Sequence, residues 1–257
     1  DLVRSRGLGD VYKRQKKKLG YLTIGILSIS LMHTIPWLMI NSSTHRSIKR
    51  FQMLMSVNAE KSASAHEEMA IYYREQKIYE LAEAEHIKAL KINPNNVRYW
   101  AQIGYLYNLM EKNEDSKEAY KKALALDPQN AREHINLGNV YRKLDSLDQA
   151  LMEYNKALKI DSTLWPAYFN LALVFTDLNQ IDSAIYAYKR CLRLNPKNAE
   201  AHFNLGTIYA SRGEYDKAVN TLKQLLRLDI NSAPAHYNLG WVLYNIGDYN
   251  EAIKEYQ

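Results

Sequence analysis

A single cysteine, Cys191, in 257 residues excludes an internal disulfide framework and a thiolate metal cluster. Glycine and proline are also scarce, at 10 and 6, which excludes collagen-like and low-complexity character. Phenylalanine is nearly absent at 4 residues, whereas tyrosine reaches 20. A strong charge of either sign is missing as well: the net charge is +6, and it is not spread evenly. Residues 1–62 hold 11 Lys/Arg against 3 Asp/Glu, and residues 63–257 hold 23 against 25. The bulk of the chain is therefore near neutral, which excludes a basic groove tracking phosphates and with it a nucleic-acid partner.

Long uncharged runs are equally rare. One exists, Leu19–Ile40, with no Asp, Glu, Lys or Arg. At ~1.5 Å per residue it makes roughly 33 Å of helix, which predicts a transmembrane helix over 19–40. Trp37 sits where an interfacial anchor belongs, and the lysines of 16–18 form a basic flank. A cleaved signal peptide is the rival reading. Its apolar core would be shorter, and no small-x-small site follows closely. The lysines lie nearer their end of the span than Arg46, Lys49 and Arg50 do to theirs. This places the array on the non-cytoplasmic side, with a bacterial inner membrane as the expected location. His33 has no carboxylate partner within the span and reads as a packing residue beside the Pro36 kink. Residues 41–62, with Ile48, Phe51, Leu54 and Met55 among basic side chains, read as an amphipathic connector. Residues 1–15 show no periodicity, and Asp10–Gln15 back-translate into a transposon end used in preparing sequencing libraries. That stretch is read as an adapter artefact and set aside.

From residue 63 the chain repeats itself every 34 residues, in the register of Pro94, Pro128 and Pro196. The units are 63–96, 97–130, 131–164, 165–198, 199–232 and a shorter 233–257. Position 8 holds Ala70, Gly104, Gly138, Ala172, Gly206 and Gly240, and position 20 is Ala or Ser in every copy. Position 11 is aromatic in five copies and Leu243 in the sixth. Apolar positions 4, 7, 11 and 20, 24, 27 follow helical spacing, so each unit reads as two amphipathic helices. Small residues at 8 and 20 let those helices approach, with the aromatic at 11 filling the gap. Gly213 and Gly247 fall at the turn between them, where a left-handed residue ends a helix. A lone hairpin cannot bury its apolar stripe but stacked hairpins can, which predicts an all-α solenoid. These positions resemble the tetratricopeptide repeat, over about three quarters of the chain. The resemblance implies a right-handed superhelix of helix-turn-helix units following the transmembrane helix.

Nothing in the sequence reads as catalytic. There is no phosphate-cradling glycine loop, nucleophile elbow or zinc-protease signature. His66, His134, His202 and His236 share position 4 on different stacked helices, so they read as core residues rather than metal ligands. Cys191 replaces a small buried residue at position 27 and reads as a core hydrophobe. No cofactor and no metal are expected.

The resemblance implies that positions 2, 5, 6, 9 and 12 of each first helix face a concave groove. Position 6 carries Asn136, Asn170, Asn204 and Asn238, four amides at one-repeat spacing. They read either as a ladder for the backbone of an extended peptide or as consensus residues kept for folding. Positions 5, 9 and 12 add Tyr105, Ile135, Phe169, Leu173, Phe203, Tyr237, Trp241 and Tyr244 as an apolar and aromatic lining for side-chain anchors. The carboxylate clamp of some family members needs lysines and an arginine, where this chain offers Ile135, Glu200 and Asn204. The expected function is a non-catalytic, membrane-tethered scaffold whose partner is a protein or peptide. Two alternatives stay open: the C-terminal repeat region of a multi-pass membrane glycosyltransferase, and an exported soluble scaffold released by signal cleavage.

Overall fold

The computed structural model describes residues 62–257. The expectations for the artefact at 1–15, the basic flank, the span at 19–40 and nearly all of the connector lie outside these residues. No helix among the described residues is long and apolar enough to cross a membrane.

Those residues form twelve helices and no strand. They run as α1 (Ala63–Glu75), α2 (Tyr79–Ile92), α3 (Val97–Leu109), α4 (Asn113–Leu126), α5 (Ala131–Lys143) and α6 (Leu147–Ile160). The second half is α7 (Trp165–Asp177), α8 (Ile181–Leu194), α9 (Ala199–Ser211), α10 (Tyr215–Leu228), α11 (Ala233–Asn245) and α12 (Tyr249–Tyr256). Odd-numbered helices open each repeat and even-numbered helices close it.

Short polar side chains set where the first helices begin. Ser62, Asn96, Asn130 and Asn198 each accept a backbone N–H from the third residue of the helix they precede. Leu164 and Ser232 do not, and there Pro166 and Pro234 occupy the first turn, where a missing N–H costs nothing.

Every first helix ends in the same way. The N–H of position 16 donates to the carbonyl of position 11, as in Ile78 to Tyr73 at 2.8 Å and Gln180 to Phe175 at 2.7 Å. This closure needs a left-handed residue at position 15. Glycine supplies it at Gly213 and Gly247, but Lys77, Glu111, Asp145 and Asn179 adopt it too, with φ between 55° and 60°. The glycine signal thus marked two of six equivalent turns.

Close approach within each hairpin involves position 24 rather than position 11. A Cβ added at Gly138 would lie 2.5 Å from Tyr154 Cε1, and Gly104, Gly206 and Gly240 face Tyr120, Leu222 and Tyr256 in the same way. Tyr120, Tyr154 and Tyr188 are among the largest fully buried side chains. At position 11, Tyr73, Tyr107, Tyr141 and Phe175 are half-buried at the edge of this core, whereas Tyr209 and Leu243 are buried in it. Positions 11 and 24 together account for eight of the 20 tyrosines.

Each even helix also packs on the odd helix that follows, so the core runs on from hairpin to hairpin. Successive first helices touch directly (α3 with α5, α5 with α7, α9 with α11). Successive second helices make no contact of that extent among the described residues. The first-helix side is therefore the tighter, inner side of the stack.

Candidate peptide-binding site

Side-chain contacts between neighbouring first helices define the inner face. Arg98 Nε lies 2.7 Å from Glu67 Oε1, linking position 2 of one repeat to position 5 of the repeat before. Arg142 Nε lies 3.0 Å from Asp177 Oδ2, and Lys143 Nζ donates to Asn108 Oδ1, both linking positions 12 and 13 of adjacent repeats. Arg74 donates to Gln102 Oε1 at 2.6 Å while its guanidinium sits 5.1 Å from the Tyr105 ring. Burial raises the carboxyl of Glu67, against the pull of the Arg98 cation beside it.

The four asparagines at position 6 lie half-buried along this face, and none is simply aimed at open solvent. Asn170 Nδ2 donates to Asn139 Oδ1 at 2.9 Å, the same oxygen that accepts the Tyr154 hydroxyl at 2.8 Å. Asn238 Nδ2 donates to Thr207 Oγ1 at 2.9 Å, again from position 6 to position 9 of the preceding repeat. Asn136 Nδ2 turns within its own helix to Glu133 Oε2 at 2.8 Å. Asn204 meets the Tyr188 hydroxyl, whose ionisation burial pushes up to about 12 despite hydrogen bonds to Thr176 and Asn204. A primary amide has two N–H donors and an acceptor, so each keeps capacity beyond these bonds. Three of the four amides join neighbouring repeats as well as lining the face.

The expected apolar lining divides by depth. Tyr105, Tyr237, Trp241 and Tyr244 are exposed, Tyr237 by 63% and Tyr244 by 60%. Phe169, Leu173 and Phe203 are half-buried, with Phe169 edge-on to Tyr188 at 6.0 Å. Ile135 is a correction to the exposed lining. It is only 8% exposed and belongs to the core, so it cannot anchor a ligand. Trp241 leans on Tyr215 of the preceding helix and Tyr244 on Tyr249 of the next, which holds these rings out along the face.

The basic residues of this face, Arg74, Arg98, Arg132, Arg142 and Lys143, were not singled out by the sequence reasoning. Their signal was present, since Arg98 and Arg132 are one repeat apart at position 2, and Arg74 and Arg142 share position 12.

The histidines lie elsewhere, at the seams between repeats. His134 Nδ1 is 2.6 Å from Glu153 Oε2, and its Nε2 donates to the Pro128 carbonyl at 3.1 Å. Both ring nitrogens are occupied and the residue is buried, so no substrate reaches it. Burial pushes the Cys191 thiol up to about 11, which leaves it protonated and inert at neutral pH. Among the described residues no three His, Cys, Asp or Glu side chains converge as metal ligands. A cavity of about 840 Å³ opens on the opposite side, between α6, α7 and α8, lined by Leu158, Tyr168, Leu171, Phe175 and Tyr186. None of the expected groove residues lines it.

Comparison with known proteins fits this geometry. The family model described as TPR repeat matches residues 104–145 and 138–176, and that of the anaphase-promoting complex, cyclosome, subunit 3 matches residues 177–257. No curated protein matches the chain. Among solved structures, the MamA protein is 27% identical with a TM-score of 0.58, over 62% of this chain and 87% of that one. YrrB, described as a TPR protein with an unusual peptide-binding site, is 25% identical with a TM-score of 0.57, over 66% and 88%. The pilF protein of Pseudomonas aeruginosa shares the fold, with a TM-score of 0.68 at 20% identity, over 80% and 90%. Repeat length, hairpin packing and these matches agree that residues 104–176 carry tetratricopeptide repeats and that the described residues share the fold of that repeat.

Proposed function

We propose that this chain is a non-catalytic scaffold that holds an extended segment of a partner protein along the first-helix side of its repeats. The observation that carries the reading is the row of exposed rings on α11, Tyr237, Trp241 and Tyr244, continued by half-buried Phe203 and Phe169. Rings kept partly out of the core on a tight inner face offer large contact area at little entropic cost. Between them the position-6 amides supply donors and acceptors that suit a peptide backbone regardless of its sequence. The peptide-binding site named for YrrB supports a peptide as the ligand class. Residues 19–40 would tether the scaffold in a membrane, on the length and apolarity of that run, with the repeats on the non-cytoplasmic side.

Photo-crosslinking tests the reading. A benzophenone side chain at exposed Thr207 or Trp241 on the inner face should capture a bound partner peptide, and one at Met152 or Tyr186 on the second helices should not. Equal capture from both sides would overturn it. For the tether, deletion of residues 16–40 should move the protein from the membrane fraction to the soluble fraction.

A further inference from the structure

We propose that the segment held on the first-helix side carries acidic residues at one end and aromatic or aliphatic residues at the other; this rests on the peptide-binding reading above. The cations of that face are confined to the first three repeats. Arg98 and Arg132 stand at position 2, and Arg74, Arg142 and Lys143 at positions 12 and 13. Ten residues of helix span ~15 Å, so these cations border the face on both rims with Gln102, Tyr105, Asn136 and Asn139 between them. In repeats four to six one rim holds Pro166, Glu200 and Pro234. The other holds Thr176, Asp177, Ala210, Ser211, Tyr244 and Asn245. None of these is basic, and the rings of Phe169, Phe203, Tyr237 and Trp241 lie between the two rims.

The internal partners leave positive charge in excess over repeats two and three. Arg98 and Arg142 are matched by Glu67 and Asp177. Lys143 and Arg74 donate to the neutral amides of Asn108 and Gln102. Arg132 is exposed and makes no ion pair among the described residues, because Ala101 stands where Glu67 meets Arg98. Glu68 and Glu75 add acid at the repeat-one end, and Glu133, which accepts from Asn136, offsets one charge in repeat three, so the remaining surplus lies on Arg132 and Lys143. A neutral amide satisfies the geometry of a cationic donor but not its charge, so a ligand carboxylate gains by joining or replacing it. Neighbouring helices pack ~8–10 Å apart and an extended chain advances ~3.3 Å per residue, so about three ligand residues cross each repeat. Acidic side chains over α5 then sit roughly three residues from an anchor over Phe169 and roughly six from one over Phe203.

The test is fluorescence anisotropy with the full chain in detergent micelles and short labelled peptides. One carries two glutamates about five residues from a Leu-Phe pair, a spacing set by that advance. A second has glutamine in place of glutamate, and each is made in both chain directions. In dilute salt the glutamate peptide should bind at least ~5-fold more tightly, with the gap closing in concentrated salt as screening takes over. The double substitution Arg132→Glu with Lys143→Glu should weaken the glutamate peptide and leave the glutamine peptide unchanged. Both residues are exposed, and circular dichroism confirms that the variant folds. Equal binding of the two peptides overturns the charge pattern and leaves the groove standing. Failure of both peptides to bind removes the groove reading together with this one.

Discussion

His134 bridges two repeats: one ring nitrogen lies 2.6 Å from the Glu153 carboxylate and the other donates to the Pro128 carbonyl. The carbonyl contact recurs at Trp100, His202 and His236, which occupy the same position and reach Pro94, Pro196 and Ile230. The carboxylate contact recurs for His66 with Glu85 and His236 with Glu255, always nineteen residues on. His202 breaks the pattern. Thr221 stands at the acidic position, and the buried Nδ1 of His202 has no hydrogen-bond partner. The substitution Thr221→Glu should supply that partner and stabilise the fifth repeat by ~1 kcal/mol or more. Conversely, Glu153→Ala should cost ~1–3 kcal/mol by stranding His134. Denaturant midpoints check both, and destabilisation by Thr221→Glu would contradict the pairing rule.

Two glycine substitutions separate packing from backbone conformation. Gly138→Ala places a methyl 2.5 Å from the ring of fully buried Tyr154, whose hydroxyl is held by Asn139. Overpacking of this kind costs ~1–3 kcal/mol. Gly104→Ala meets Tyr120 at 3.2 Å and should cost less. Equal losses for the two would mean that the ring moves aside freely.

At Gly213 a Cβ meets nothing within 4 Å, so only its φ of 72° matters. Gly213→Val should lose ~1–2 kcal/mol by forcing a branched residue into the left-handed region. Gly213→Asn should be close to neutral, because Asn179 already holds φ of 56° at the equivalent turn. Thermal melts of the two variants decide the point. A valine variant as stable as the asparagine variant would show that the turn does not depend on this conformation.

The repeat length, the helix pairs and the small residues at positions 8 and 20 were legible because each follows from spacing alone. The partner of position 8 was not. Tyr154 fills the space beside Gly138 from sixteen residues on, in another helix, and periodicity within one helix carries no trace of that. Ile135 shows the limit at the candidate site. It stands at a position assigned to the inner face, yet that position slants toward the core, and only packing decides how far a side chain there is covered. The asparagines were legible as a row but not as donors to Asn139, Thr207 and Glu133, because those contacts depend on how repeats stack.

Two histidines at opposite ends should give the array opposite responses to pH. His86 is completely buried in α2, neither ring nitrogen has a hydrogen-bond partner, and burial together with the Arg74 cation lowers its pKa to about 4. The unfolded chain binds that proton near pH ~6.5, so the stability given by a neutral His86 is full above that value and is lost as pH falls toward 4. At ~1.4 kcal/mol per unit, the first repeat should lose on the order of 3 kcal/mol across that window. His236 behaves in reverse. Acceptors at both nitrogens, first the Ile230 carbonyl and then Glu255, favour its doubly protonated ring and raise its pKa. Its contribution is full below the unfolded value and is lost as pH rises through the folded one. Hydrogen exchange, corrected for the intrinsic rate, should show α2 loosening between pH 7 and 5 while α12 does not. His86→Leu should abolish the acid response of α2 and leave α12 as it was. Loosening of α2 at acid pH in that variant would assign the response to another group.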